Sequence, residues 1–158
     1  MGFALSDMQV SSGAFGSLAP IPKRHTGEGE NVSPPLAWSD PPAGAKAFAV
    51  ICHDPDAPLV KPGAYGYVHW VLYNLDGSLA SVDPATPVGT AGVNDSGKAG
   101  YTGPMPPPGH GRHHYYFWVL ALDRQLDLPP GLSMWEFLAK AEAHVIGMNR
   151  IVGTYERG

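Results

Sequence analysis

Two acids and two prolines crowd the six residues His53 to Pro58, "HDPDAP", directly after the apolar run "AFAVIC". A carboxylate at the end of a strand that reads as buried has two readings. Asp54 can cap a turn, since Asp-Pro often opens one. It can also hold the ring of His69 ("YVHWV") or of His113 ("HHYYFW") and favour its protonated form. The imidazole rings, a tyrosine O–H such as that of Tyr115 and the carboxylate would then be groups that a sheet edge holds for a ligand. The same His–Asp combination would serve as a general base, but no G-x-S-x-G turn marks a nucleophile. Two histidines and a carboxylate also suit a metal. The short H-x-H or H-x-x-x-H spacing is missing among these residues, so no metal and no cofactor is expected.

Each of these residues falls at the end of a predicted strand. "AKAFAVICHD" (45–54), "YGYVHWVLYNLDG" (65–77) and "HHYYFWVLALD" (113–123) are rich in β-branched and aromatic residues. If neighbouring strands run antiparallel, the end of the first and the starts of the other two share one edge of the sheet. Tyr115 follows His113 by two and shares its face, while His114 takes the opposite one. Asp54, His69, His113 and Tyr115 can then gather at one mouth, with Pro58, Pro106 and Pro107 as rigid walls. His69 can equally be a core histidine satisfied by a backbone carbonyl.

Around these strands the pattern calls for cover on both faces, because the strands are apolar on both sides. A short strand near "FALSDMQV" and a last one in "NRIVGTYERG" can contribute. From "SMWEFLAKAEAHVIGM" (133–148) helical spacing puts Met134, Phe137, Leu138, Ala141 and Val145 on one face, behind a capping box at Ser133 and Glu136. The expected fold is mainly β, an antiparallel sandwich-like single domain over residues 1–158 with few helices. "GVNDSGKA" (92–99) imitates a phosphate loop but has Ala99 where Ser or Thr would meet Mg²⁺, and it reads as an ordinary loop.

Composition narrows the function classes. The 158 residues carry a net charge of −4 and no basic tract, which argues against nucleic-acid binding. Gly 20 and Pro 17 point to long shaped loops. Cys52 is the single cysteine, so no intrachain disulfide forms; it reads as a packed thiol in a reducing, cytoplasmic setting. No run approaches the ~20 apolar residues of a bilayer span, so no stable membrane insertion is expected.

"DPDAP", a histidine on the next strand, then "GPMPPPG" leading into "HHYYF" together resemble the phosphatidylethanolamine-binding protein family, also called the Raf kinase inhibitor protein family, in its compact prokaryotic branch. "NVSPPLAW" (31–38) and "SGKAGYTGP" (96–104) look like two further segments of that family. The resemblance implies antiparallel sheets with a Greek-key core and a small pocket at one sheet edge that binds phosphate or a phosphorylated head group without catalysis. By motif, the pocket residues would be Asp54, Pro58, His69, Pro106, Pro107, His113 and Tyr115, with Asp56 a structural partner. Regulation of a partner protein such as a kinase or protease, a His–Asp hydrolase activity and a homodimer are further expectations. The family often has Arg at the position of His114; a histidine there makes any ion pair pH-dependent.

Overall fold

The computed structural model describes residues 3–57 and 65–158. Eight strands run through the described residues: β1 (Gln9–Ser11), β2 (Leu36–Ser39), β3 (Ala47–Asp54), β4 (Tyr67–Asp76), β5 (Ser81–Val82), β6 (Thr90–Ala91), β7 (His113–Leu122) and β8 (Val145–Tyr155). Five of them form one antiparallel sheet in the order β6-β4-β3-β7-β8, and the other three a small sheet in the order β1-β2-β5. Read as β7-β3-β4-β6, the large sheet has Greek-key order: three strands that follow one another within this sheet, with the fourth returning to the flank of the first. The mainly β, antiparallel expectation holds.

β3 is buried almost throughout, because the large sheet is covered on both faces. On one face Phe48, Val50 and Cys52 meet Phe117 and Val119, and the small sheet closes over them with Leu36 and Trp38, helped by Phe15 and Ile21. On the other face Ala49, Ile51, Tyr73 and Leu120 lie beneath the only α-helix among the described residues, α1 (Met134–Ala141), through Phe137 and Ala141. Tyr73 and Phe137 stack with ring centroids 5.3 Å apart. The Cys52 thiol is fully buried, and burial pushes its pKa well above the usual range.

The helix is shorter than its spacing predicts. The capping box at Ser133 and Glu136 starts α1 as expected, but helical spacing ends at Ala141. One 3-10 turn follows (Glu142–His144), and Val145 opens β8. Val145 does join Phe137 and Ala141 in their apolar cluster, yet it reaches it from the sheet. The reason is competition: residues from Val145 onward pair along the whole of β7, and that ladder outweighs another helical turn. The first strand is likewise shorter than "FALSDMQV" implies, with only Gln9–Ser11 paired to β2. No helix among the described residues is long and apolar enough to cross a membrane.

Phe117 is fully buried at the middle of β7, its ring 5.6 Å from that of Phe15. Phe117→Ala is expected to cost ~3–5 kcal/mol in urea denaturation, from lost transfer energy and the cavity left behind. Trp135, on the outer side of α1, is 74% exposed, and Trp135→Ala should change stability by no more than about 0.5 kcal/mol.

Candidate functional site

β3 runs antiparallel to both β4 and β7, so its C-terminal end meets the start of each. Pairing with β7 stops at His53↔Tyr116. Beyond that point a cavity of about 210 Å³ opens between the strand ends, bordered by Asp54, His69, Pro106, Pro107, His113 and Tyr115. Six of the seven residues expected at the pocket therefore share one space; the seventh, Pro58, lies outside the described residues. Ala57, Tyr67, Thr102, Gly103 and Met105 are the other described residues of the wall. The motif spacing did not point to those five.

Asp54 and His113 are each 2% exposed. The His113 Nδ1–H donates to Asp54 Oδ2 at 2.7 Å, and the Asp56 N–H donates to Asp54 Oδ1 at 2.8 Å. Asp54 thus caps its turn and orients a ring at once. Its partner is His113 and not His69. On the far side of the ring, His113 Nε2 and Nδ1 of His110 share a hydrogen bond of 2.6 Å. His110 sits in the "GHGR" turn, which reads in sequence only as loop. His114, next in line, points to the other face: Asp56 Oδ2 accepts from its backbone N–H at 2.8 Å and from its Nδ1–H at 2.7 Å. Burial pushes the Asp56 carboxyl up, but the two bonds from His114 and its charge outweigh this and hold it below its ordinary 3.8. The two carboxylates of "DPD" therefore each hold one of two adjacent histidines, on opposite faces of β7.

His69 reaches the cavity through a bulge. Cys52 pairs with Trp70 and His53 with Val68, leaving His69 without a partner on β3. Strict alternation would give Val68 and Trp70 the same face, yet they belong to the two different cores. The extra residue breaks the alternation and re-aims its side chain. The His69 ring meets Tyr115 edge-on at 5.2 Å and Tyr67 at 4.7 Å. Its Nδ1–H donates to the Thr102 carbonyl at 2.6 Å. Burial lowers the pKa of the ring below its ordinary 6.5, against smaller opposing effects of the Thr102 carbonyl and the Asp54 charge. His69 is a neutral imidazole at neutral pH, with Nε2 its unprotonated atom. Burial, then the nearby Asp54, pushes the Tyr115 phenol far up, so it stays an O–H donor.

The loop that carries Thr102 and the prolines is clasped from several sides. Asn94 donates to Gly100 O and Thr102 Oγ1, while its Oδ1 accepts from the N–H groups of Ser96 and Lys98. "GVNDSGKA" is thus a turn organised around one asparagine. The Gly103 N–H donates to Asn31 Oδ1 at 2.7 Å, and the Tyr101 O–H to His25 O at 2.6 Å. A Cβ at Gly103 would lie 2.4 Å from His25 O, so only glycine fits there. Arg157 donates to Pro106 O at 3.2 Å and pairs with Glu28. No Lys or Arg side chain borders the cavity among the described residues, and no cluster of three or more His, Cys, Asp or Glu among them is set to hold a metal ion.

A lowered folded-state pKa at Asp56 means that the stability it contributes is fully present above 3.8 and is lost as pH falls through the folded value. Both side chains of the pair are 40% exposed, so that contribution is at most ~1 kcal/mol. Thermal melts of wild type and Asp56→Asn should differ at pH values above the carboxylate range and converge in strong acid.

The family model for phosphatidylethanolamine-binding protein matches residues 11–156 of this chain. A protein of Methanothermobacter thermautotrophicus named UPF0098 is 40% identical, with 96% of this chain and all of the relative covered. A Mycobacterium tuberculosis protein named lipoprotein LppC is also 40% identical, over 97% of this chain and 74% of its own length. Among solved structures, the phosphatidylethanolamine-binding protein homologue CT736 of Chlamydia trachomatis superposes with a TM-score of 0.88 at 35% identity, covering 96% of this chain and 98% of the other. The matched span takes in the large sheet, the small sheet apart from Gln9 and Val10, α1 and every described residue of the cavity wall, and the chain belongs to the phosphatidylethanolamine-binding protein family.

Proposed function

We propose that this protein is a non-enzymatic binding protein whose sheet-edge cavity takes a small oxyanion, either inorganic phosphate or a phosphorylated head group. The observation that carries the reading is the convergence of the Tyr115 hydroxyl, the His69 ring and the Asp54–His113 pair in one cavity walled by prolines. Among the described residues, no Ser, Cys or Lys side chain lines that cavity. The nearby thiol, Cys52, is sealed in the core with its pKa raised, far from the lowered value of a reactive cysteine. Both nitrogens of His113 already have partners, so it is not poised to remove a proton from a substrate.

A cytoplasmic setting fits the single buried cysteine. The lipoprotein name of the mycobacterial relative raises the cell envelope as the alternative for this chain. Fractionation of the native host would separate the two.

Titration with millimolar phosphate, followed by NMR of the histidine side chains, tests the reading. The His69 and His113 resonances should shift, while His25, held by the Val32 carbonyl, and His144, paired with Asp123, should not. Movement of His25 or His144 alone would place the ligand elsewhere. Asp54→Asn should weaken phosphate binding by about threefold to tenfold, since it loosens a charge-assisted bond that fixes His113, although it removes a negative charge. Tighter binding by this variant would mean that Asp54 merely repels the anion.

A further inference from the structure

The polar atoms that the cavity leaves open form an unusual set for an anion. Neither His69 Nε2 nor Tyr115 Oη has a hydrogen-bond partner among the described residues. No fully enclosed side-chain polar atom among those residues lacks one, so both atoms face the cavity that their residues line. His69 Nδ1 must carry the ring's proton, because its partner is a carbonyl oxygen, which only accepts. Nε2 of the neutral ring is then a lone pair. His113 Nε2, the other imidazole nitrogen on this side, is taken by His110. Among the described residues, the cavity therefore offers one imidazole acceptor and tyrosine hydroxyl donors, and no Lys or Arg side chain borders it.

A fully ionised oxyanion presents only lone pairs, and against His69 Nε2 it would place one lone pair on another. An oxyacid that still carries a hydrogen turns that contact into an O–H···N hydrogen bond. We infer that the cavity selects a proton-bearing phosphate over a fully ionised oxyanion, with His69 Nε2 accepting the ligand's P–O–H and Tyr115 Oη donating to one of its unprotonated oxygens. This rests on the oxyanion reading above and adds the protonation state of the ligand to it.

The surroundings of His69 sustain the neutral ring. The charged or titratable groups that act on it are Asp54 and His53 from β3, Tyr67 from β4, Asp95 from the loop after β6, and Tyr115 from β7. His113 stands across the cavity, with His110 behind it. None is a permanent cation, and burial is the strongest influence on the ring, disfavouring its charge. As pH falls below the lowered pKa of His69, Nε2 gains a proton and the discrimination reverses.

Calorimetric titration of the full chain at neutral pH with phosphate, sulfate and phosphorylethanolamine decides the matter. Inorganic phosphate keeps a P–O–H there and should bind at least about tenfold more tightly than sulfate, the value of one hydrogen bond gained instead of one buried acceptor left unmade. Phosphorylethanolamine is mostly ionised at neutral pH, and its binding should strengthen as pH falls through its second pKa of ~6. Whichever of the two phosphates binds more tightly once both carry a proton identifies the source as free phosphate or head group. Sulfate should gain affinity in the acid range where His69 protonates. Equal affinity for sulfate and phosphate at neutral pH would overturn the selectivity and leave the oxyanion reading standing; no binding of either would overturn both. His69→Gln, whose amide can donate, should bring the phosphate-to-sulfate ratio within about twofold. If that variant does not fold, ¹⁵N NMR of the wild type remains decisive: His69 Nε2 must resonate as an unprotonated ring nitrogen in the free protein at neutral pH, and a protonated Nε2 there would overturn the inference.

Discussion

The buried contact between Asp54 and His113 constrains the rest of this site. A carboxyl group that is 2% exposed is tolerable only if its oxygens are engaged. One oxygen is met by the turn that follows β3, the other by the first side chain of β7. The turn and the starting point of β7 are both set by that requirement. The cavity is the space left where the strands stop pairing in order to make this contact.

The frame around it divides the labour. Two apolar layers hold the large sheet between the small sheet and α1. At the cavity end, individual polar clasps take over: Asn94 around the turn that leads to Thr102, Asn31 on Gly103, and Arg157 on Pro106. A loop so rich in proline has few backbone N–H groups for a ladder, so its shape comes from side chains of distant segments. This gives the "NVSPPLAW" and "SGKAGYTGP" segments a physical meaning: the second supplies the wall beside His69, through Thr102 and Gly103, and the first holds it there through Asn31.

Much of this is legible in the sequence. Strands apolar on both faces announce a covered sheet, and the antiparallel arrangement alone brings the end of β3 to the starts of β4 and β7. The alternation of His113 and His114 separates an inward ring from an outward one. Other features are hidden for definite reasons. The bulge at His69 leaves no signature in residue types, and strict alternation from the buried Trp70 would have turned that histidine away from the cavity. The choice of Asp54 between His69 and His113 depends on a competing acceptor, the Thr102 carbonyl, and a backbone carbonyl is the same in every residue. The end of α1 was concealed because Val145 satisfies the helical and the strand pattern at once. His110 looked like loop because its role depends on the fold of a turn with no periodicity.

The paired clasps at the head of β7 have a consequence for how the sheet is assembled. Strands with apolar side chains on both faces lose the usual penalty for slipping by one residue, since either face can be buried. Here a one-residue slip between β3 and β7 would offer His114 to the enclosed carboxylate and push His113 toward solvent, breaking both clasps together. A two-residue slip would restore the facing but carry both rings away from their acids. The interleaved "DPD" and "HH" therefore work as a vernier: hydrophobic burial brings the strands together, and only one alignment lets both acids close.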